Sequence, residues 1–361
     1  MTINFIIGEL SGGGAQRVMV ILANEFAKKG HDISIITLNE IEGGDAYNLN
    51  KSIKRIRLHG GNIKNHKLRW LSNLIKHFMK TKNRPDVIIS FLSLINMVAI
   101  ISAKIYNIKI IASEHNNHLQ ATEPKFLTNF TWKYIYRKAT QITVLTAFDV
   151  EFYEKYKANV MIMPNPCTFT PNRNALIVEK SNVILAVGNL NRYHHKGFDN
   201  LIPLIAPLLK GNPDWKLKIL GGGDKGEAYL NELIVKEGLT NQIILAGFQS
   251  NVSEHMLDAS IFILPSRFEG LPMVLLEAMS QGMACISYDC KTGPSDIIHN
   301  RINGVLVEDQ NSKQMQKELK ILIENQELRK TLSNNAINSL ERFSLETISN
   351  KWKILLNNVH S

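Results

Sequence analysis

Two glutamates, Glu269 and Glu277, are separated by seven residues, one of which is Pro272. The apolar run Ile261–Leu264 before them predicts a buried strand, and Pro272–Gln281 has the composition of a helix. Proline suits the first position of a helix, because its fixed φ fits and its missing N–H would have no partner there. The pattern therefore predicts two carboxylates beside a helix N-terminus.

Such a helix start offers a site for an anion. The N–H groups of Met273 and Val274 would point out of the first turn, and the helix dipole favours negative charge there. A diphosphate lies between sugar and ribose in a nucleotide sugar, so Glu269 can reach sugar hydroxyls while Glu277 reaches the ribose diol. Two ordinary surface carboxylates are the alternative, and the spacing and the flanking Gly-Leu-Pro argue against it.

Short apolar runs alternate with helical patterns in two passes along the chain, which is typical of parallel sheets covered on both faces. The first pass predicts strands over Ile3–Ile7, Ile33–Thr37, Val87–Phe91, Lys109–Ser113 and Ile142–Leu145. The second predicts strands over Val183–Val187, Trp215–Leu220, Ile243–Ala246, Ile261–Leu264 and Ala284–Ser287, and a long helix from Ser312.

Two prolines in three residues, Pro164 and Pro166, mark a linker between the passes. We therefore expect an α/β protein with an N-terminal domain over 1–170 and a C-terminal domain over 171–361, the last helix packing back on the first domain. Ligands of such domains are expected at the carboxyl ends of the strands, in a cleft between the two sheets.

The glutamate pair resembles the donor signature of glycosyltransferase family 4, and other segments extend the likeness over almost the whole chain. These segments are the glycine-rich loop Gly12–Val18, Asn165-Pro166, Lys196-Gly197-Phe198-Asp199 and Gly247-Phe248. The resemblance implies the GT-B fold, with two Rossmann-like domains, and a retaining transfer of sugar. The donor is expected to be UDP-linked, and neither a cofactor nor a metal is expected.

The resemblance also implies roles for single residues. The donor-binding set is Gly13, Gly14, Arg192, Lys196, Gly247, Phe248, Glu269, Gly270, Leu271, Met273, Val274 and Glu277. In it, Lys196 binds phosphate, Gly247-Phe248 holds the base and Glu269 is also catalytic. The family usually has an arginine directly after the glycine that ends the first strand of the second domain; here Asn189 follows Gly188, and we expect Arg192 to supply the charge.

Two segments narrow the resemblance, Ile88-Ile89-Ser90-Phe91-Leu92 and Ile111-Ala112-Ser113-Glu114-His115-Asn116. They are similar to a subgroup that adds N-acetylgalactosamine or a related hexose to oligosaccharides linked to polyprenyl pyrophosphate. The family's matching histidine lies near the reacting sugar, so the resemblance makes His115 a catalytic candidate that bonds a sugar hydroxyl or orients the acceptor. A structural histidine is the alternative.

Positive charge is concentrated in the first half. Residues 1–170 hold 22 Lys or Arg and 12 Asp or Glu, against 20 of each over 171–361, and Lys51–Arg84 has no acidic residue. With aromatic neighbours, this favours an anionic membrane surface or a lipid-linked acceptor, and we assign Lys67, Arg69, Trp70, Lys133 and Arg137 to it. Nucleic acid is excluded as a partner, because no recognition motif accompanies the charge.

The cysteine content and the apolar segments indicate the cellular compartment. Three cysteines without CxxC spacing fit a reducing compartment and no zinc site. The N-terminus lacks a basic region before its apolar run, and Val87–Ala103 is short and polar for a membrane span. We expect a cytoplasmic protein associated peripherally with the inner face of a bacterial cell membrane.

Three functions are compatible with these residues. The first is transfer of a hexose or N-acetylhexosamine to a lipid-linked or polysaccharide acceptor, in the synthesis of O-antigen, capsule or protein glycan. A GT-B sugar-nucleotide epimerase or a phosphorylase is the second, although neither requires the basic half. A non-catalytic nucleotide-sugar binder is the third, and the intact glutamate pair argues against it. The hexose, the acceptor and the linkage stay open.

Overall fold

The computed structural model describes residues 1–40, 44–120, 124–176 and 179–360. The chain forms two compact units. The first unit is Met1–Pro166 together with Leu345–Ser361, and the second unit is Cys167–Ser344. The C-terminal helix, Leu345–His360, thus belongs to the first unit, where the Lys29 ammonium donates to the Ser349 hydroxyl at 2.7 Å.

In the described part of the first unit, seven parallel strands form one sheet. They are β1 (Thr2–Ile7), β2 (Asp32–Thr37), β3 (Lys54–Arg57), β4 (Val87–Phe91), β5 (Lys109–Ser113), β6 (Gln141–Val144) and β7 (Val160–Ile162). Their order across the sheet is β3-β2-β1-β4-β5-β6-β7. The order reverses between β1 and β4, which makes this the switch point of the sheet, where open α/β folds bind ligands.

Helices cover this sheet on both faces. They are α1 (Gly14–Lys28), α2 (His66–Met79), α3 (Ser93–Ile105), α4 (Lys125–Phe130) and α5 (Val150–Glu154). β4 is buried along its whole length, as expected for a central parallel strand with helices on either side. The apolar stripe of α2, with Trp70, Leu74 and Phe78, is buried in the same core.

Within the residues described for the second unit, six parallel strands form the other sheet. They are β8 (Ser181–Val187), β9 (Lys216–Leu220), β10 (Ile243–Leu245), β11 (Ala259–Leu264), β12 (Ala284–Asp289) and β13 (Val305–Glu308). The order is β10-β9-β8-β11-β12-β13, so the switch point of this sheet lies between β8 and β11. β11 carries only buried residues, and it pairs with both β8 and β12.

The helices of the second unit follow its strands in turn. They are α6 (Tyr193–Lys196), α7 (Phe198–Gly211), α8 (Asp224–Glu237), α9 (Val252–Asp258), α10 (Met273–Ser280), α11 (Pro294–Ile297), α12 (Ser312–Glu324) and α13 (Gln326–Asn338). The α/β architecture predicted from the sequence is confirmed in both units.

Two predictions about elements need correction. The long helix expected from Ser312 is two helices, because the chain leaves helical geometry at Asn325, whose side chain caps α13 by accepting from the amide of Leu328. Trp70 is only 6% exposed and its ring N–H donates to the side chain of Asn39 at 3.0 Å, so the membrane-facing role predicted for Trp70 is wrong. Across the described residues, no helix is both long and apolar enough to cross a bilayer.

Candidate functional site

The start of α10 lies directly after the central strand β11. Pro272 caps this helix with φ −69° and ψ 100°, so the helix begins one residue later than predicted. Helical bonding starts with the amide of Leu275, which donates to the carbonyl of Pro272 at 3.0 Å. The amides of Met273 and Val274 precede that bond and belong to the first turn, where backbone N–H groups and the helix dipole favour an anion.

Lys196 and Glu269 meet beside this helix start. The ammonium Nζ lies 2.7 Å from Oε1 of the carboxylate, and the side chains are only 17% and 10% exposed. Lys196 ends α6 in the connection that follows β8, while Glu269 lies in the connection that follows β11. The pair therefore bridges the switch point of the second sheet.

Close packing fixes the two connections against each other. Gly197, with φ 71°, follows Lys196, and a Cβ there would collide with the carbonyl of Pro265. Only glycine combines this left-handed conformation with such a close approach. A further backbone bond, from the amide of Arg267 to the carbonyl of His195 at 3.0 Å, joins the same two segments.

The lysine sets the charge of Glu269. Burial by itself would raise the pKa of this carboxyl, but the Lys196 ammonium and the hydroxyl of Ser266 outweigh it and hold the pKa below its ordinary value. Glu269 is consequently ionised at neutral pH despite being 8% exposed. An ionised carboxylate is a strong hydrogen-bond acceptor for hydroxyl groups.

Arg192 lies on the same connection as Lys196 and is held by a histidine. Its Nη2 lies 3.0 Å from Nε2 of His195. Burial, followed by the nearby Arg192, lowers the pKa of His195 to about 4, so the ring is neutral and accepts this bond. The sequence predicted the arginine but missed the histidine's contact with it.

A second ion-pair group lies next to this cluster, and the sequence interpretation missed it. Asp199 accepts from Arg267 at 2.7 Å and faces the ring of His194 at 3.0 Å. Arg267 lies just before Glu269, and His194 lies just before Lys196. Opposite charges close to these two motifs were therefore the signal in the sequence that could have indicated the ion pairs. Among the described residues, no three His, Cys, Asp or Glu side chains converge as metal ligands would.

Glu277 lies on the second turn of α10 and is 5% exposed. The hydroxyl of Thr168 donates to its carboxylate. The sequence did not predict this partner, which lies more than a hundred residues away in the chain. The bond fixes the carboxylate that was expected to meet a ribose.

Neighbouring loops at the carboxyl ends of the strands carry the other donor-site predictions. The amide of Gly221 donates to the carbonyl of Gly247 at 2.8 Å, which ties the loop after β9 to the loop after β10. Phe248 is 81% exposed, whereas Leu271 is buried and supports its loop from within. The carbonyl of Gly270 packs against Gly293. Contact between the base and Gly247-Phe248 stays a prediction.

The glycine-rich loop of the first unit leads from β1 into α1. Gly13 is the N-terminal cap of α1 and Gly14 its first residue. The hydroxyl of Tyr47 donates to the carbonyl of Gly13 at 3.1 Å, a contact that the sequence did not predict. These two glycines lie in the first unit, whereas the remaining donor-site residues lie in the second.

His115 follows β5 and stacks on Phe91, with ring centroids 4.3 Å apart. Its Nε2 lies 3.2 Å from the hydroxyl of Ser113, which also accepts from Thr143 at 2.8 Å. Burial lowers the pKa of His115 to about 3, while the side chain of Asn165 acts in the opposite direction. The ring is therefore neutral at physiological pH and suits hydrogen bonding more than charge stabilisation.

Glu114, beside it, has a structural environment. Its carboxylate accepts from Asn96 at 3.1 Å, from Ser93 at 3.0 Å and from the hydroxyl of Tyr136. These donors come from α3 and from the segment before β6. Their hydrogen bonds therefore hold the end of β5 against both of these elements. His115 follows Glu114 directly in the chain.

The residues assigned to acceptor and membrane lie in two places. Lys67 and Arg69 are half-buried on α2, close to the buried Trp70. Lys133 and Arg137 are exposed, and both lie near the exposed ring of Tyr134, at 5.3 and 5.9 Å. Only this second group presents charge and an aromatic ring together on the surface.

Comparisons with known proteins agree with this architecture. A sequence profile described as glycosyl transferases group 1 matches residues 170–339, and one described as glycosyltransferase family 4 matches residues 12–168. Among solved structures, the HepE protein of Anabaena in complex with UDP superposes with a TM-score of 0.81 over 99% of this chain and 100% of its own, at 16% identity. The fold is GT-B.

Curated relatives define the family. An uncharacterized glycosyltransferase of Haemophilus influenzae is 31% identical over 98% of this chain and 98% of its own length. A Campylobacter jejuni α-1,4-N-acetyl-D-galactosaminyltransferase, named for a GalNAc-containing undecaprenyl-pyrophosphate substrate, is 31% identical over 99% of this chain and 98% of its own. The chain belongs to the group 1 and family 4 glycosyltransferases, and it is a transferase enzyme.

Proposed function

We propose that this glycosyltransferase moves a hexose or N-acetylhexosamine from a UDP-sugar to a lipid-linked or polysaccharide acceptor of a bacterial surface glycan, with retention at the anomeric carbon. The observation that carries the donor assignment is the ion pair of Lys196 and Glu269 at the switch point of the second sheet. The C. jejuni relative is named for a lipid-linked acceptor and the HepE neighbour for UDP, and both names support the proposal.

The donor is assigned to the second unit. Its diphosphate binds Lys196, Arg192 and the first amides of α10, because each of these brings positive charge. Its sugar hydroxyls bond to Glu269, and its ribose diol bonds to Glu277. The lysine ammonium has three donor hydrogens and Glu269 takes one of them. Phosphate oxygens are the natural partners of the others.

The chemistry follows from this arrangement. An acceptor hydroxyl oxygen forms a bond to the anomeric carbon as the bond from that carbon to the diphosphate breaks, on the same face. The hydroxyl proton passes to an oxygen of the leaving diphosphate. Negative charge therefore grows on the diphosphate, and the cations and helix start stabilise it most in the transition state. No metal ion is required in this scheme.

The acceptor is assigned to the first unit. A neutral His115 contacts a sugar hydroxyl through its ring, as its low pKa allows. Lys133 and Arg137, with the exposed rings of Phe130 and Tyr134, hold the enzyme at the inner face of the membrane. Cationic and aromatic side chains together suit the headgroup layer.

Thermal unfolding with a panel of UDP-, GDP- and ADP-sugars tests the donor. A bound ligand raises the apparent melting temperature, and the rise grows with the logarithm of the ratio of ligand concentration to dissociation constant. We expect UDP-sugars to stabilise the wild type and to lose this effect with Lys196→Met. Lys210→Met, which changes an exposed lysine on α7, is the matched control. Stabilisation by GDP- or ADP-sugars alone would overturn the uridine assignment.

A further inference from the structure

The first unit contains a cavity of about 250 Å³ at its own switch point. Gly8 and Glu9 follow β1 there, and Leu92 and Leu94 follow β4, the strand at which the order of the sheet reverses. Among the residues that the structure describes, its lining is Ile7, Gly8, Glu9, Gln16, Asn39, Trp70, Leu92, Leu94 and Ile95. This place corresponds to the one that the Lys196–Glu269 pair occupies in the second sheet.

Three polar side chains face this cavity. In the part of the chain that the structure describes, the carboxylate of Glu9 and the amide of Gln16 take part in no hydrogen bond or ion pair, so both are available to a ligand. The side-chain oxygen of Asn39 accepts from the ring N–H of Trp70 at 3.0 Å, which fixes the orientation of the Asn39 amide. The N–H groups of that amide are then the donors that it offers to a ligand.

The charge of the lining decides the class of ligand. The nine lining residues include no lysine or arginine, although this unit carries the positive excess of the chain. Glu9 is the one charged side chain among these nine described residues. Such a lining disfavours phosphate and suits a neutral polyol, whose hydroxyls donate to the carboxylate and accept from the amides.

Strain lies at the same point. Leu92 has φ 77° and ψ 139°, a conformation that a leucine rarely adopts. Two backbone bonds impose it: the amide of Leu92 donates to the carbonyl of Ser113, and its own carbonyl accepts from Asn96 at 2.8 Å. Strained residues held by surrounding structure cluster at ligand sites. Leu92 is itself one of the residues that line the cavity.

We propose that this cavity binds one neutral pyranose ring, the terminal sugar of the acceptor glycan. Glu9 and the amides of Gln16 and Asn39 bond its hydroxyls, and Leu92 and Leu94 pack on its apolar face. The volume is below the roughly 300–1,000 Å³ of pockets that bury drug-sized ligands, so it accommodates one ring and not an oligosaccharide. The inference rests on the proposed function, since only a glycosyltransferase needs an acceptor sugar.

Saturation-transfer NMR on the full chain tests the cavity with four probes, the methyl α-glycosides of galactose, glucose, N-acetylgalactosamine and N-acetylglucosamine. We expect at least one to bind the wild type. Glu9→Gln should raise the dissociation constant of the bound glycoside by about ten- to a hundredfold, the usual loss when a hydrogen bond to a charged group is removed. Leu94→Trp, which fills the cavity, should abolish binding. Glu151→Gln, at an exposed glutamate of α5, should change nothing.

Two further measurements separate the possible failures. Lys196→Met should still bind the glycoside, and the cavity variants should still bind UDP with wild-type affinity. Binding that survives Glu9→Gln and Leu94→Trp, or that is lost only in Lys196→Met, would place the sugar in the donor site and overturn the inference. No binding of any of the four probes would overturn it too. Absence of UDP binding to the wild type would instead refute the proposed function. If Leu94→Trp does not fold, the isosteric Glu9→Gln decides.

Discussion

The ammonium of Lys196 contacts the carboxylate of Glu269 at 2.7 Å, across the point where the strand order of the second sheet reverses. Both side chains are largely buried, so each would be an uncompensated charge without the other. Removing one partner therefore changes stability as well as ligand binding, and a test of function has to separate the two effects.

A paired substitution makes this separation. We expect Lys196→Met to lower the transfer rate by about 10²–10³-fold, the usual loss when a group that stabilises transition-state charge is removed. It should also lower the free energy of unfolding by about 3–5 kcal/mol, because Glu269 is left charged and buried. The double variant Lys196→Met/Glu269→Gln should regain most of that stability and none of the activity.

Steady-state transfer assays and urea unfolding measure these effects. Lys210→Met serves as control, since Lys210 is exposed on α7. Recovery of transfer in the double variant would show that the ion pair is structural only, and the donor assignment would then fail.

The stability of the first unit should depend on pH through His115. Its folded pKa is about 3, below the ordinary value of 6.5, so the unfolded chain binds the proton first as pH falls. The contribution of the neutral His115 ring to the free energy of unfolding is therefore complete above pH 6.5. It is lost progressively as the pH falls towards 3, by up to about 1.4 kcal/mol per pH unit. His115→Gln should reduce this slope between pH 6.5 and 5 in urea unfolding.

The control for this slope is an exposed histidine. His299→Gln changes a solvated ring and should leave the dependence on pH as in the wild type. Equal slopes in the wild type and in His115→Gln would mean that folding leaves the pKa of His115 at its ordinary value.

The contact between Arg192 and His195 predicts a non-additive effect on binding of UDP. Arg192→Ala should raise the dissociation constant about tenfold or more, as for a lost bond to a charged group. His195→Phe should raise it less, because the guanidinium stays but loses its neutral acceptor. If the histidine acts only by placing the arginine, the double variant should bind UDP as Arg192→Ala does. Titration calorimetry measures all four proteins, and additive effects would refute this positioning role.

The bond between Thr168 and Glu277 bears on recognition of ribose. We expect the wild type to bind UDP about tenfold more tightly than 2′-deoxy-UDP, since the lost hydroxyl leaves the carboxylate short of a donor. Glu277→Gln should reduce this ratio towards one. Thr168→Val should reduce it in part, because the carboxylate loses the donor that orients it. An unchanged ratio in Glu277→Gln would place the ribose elsewhere.

The sequence predicted what local patterns determine. The passage of the chain from β11 into α10 could be predicted, because an apolar run is followed within twenty residues by a Gly-Leu-Pro segment whose proline caps the helix. β3 was not predicted, because its edge position leaves it rich in charge, as Lys54-Arg55-Ile56-Arg57, without an apolar signature. The burial of Trp70 was also missed, since an amphipathic helix has the same pattern whether its apolar face meets a core or a membrane.

Contacts between distant segments were beyond any pattern. Thr168 meets Glu277 across 109 residues of the chain, and Gly197 packs against the carbonyl of Pro265 in a later connection. Such contacts depend on how elements pack in three dimensions. The cavity at the first switch point is of the same kind, because its lining comes from five separate segments of the chain.

We expect attachment to an anionic membrane surface to depend on the exposed face around Tyr134. Each lysine or arginine near an anionic surface contributes about 1 kcal/mol, so Lys133→Gln/Arg137→Gln should weaken binding to vesicles rich in phosphatidylglycerol by roughly thirtyfold. The exposed lysines Lys216 and Lys236 of the second unit provide the matched control as a double glutamine variant.

Raising the salt concentration should lower vesicle binding of the wild type, because salt screens surface charge. It should also reduce the difference in binding between the wild type and the Lys133→Gln/Arg137→Gln variant. Cosedimentation measures each protein. If both double variants bind as the wild type does, membrane attachment depends on some other surface, and the buried stripe of α2 is not available to provide it.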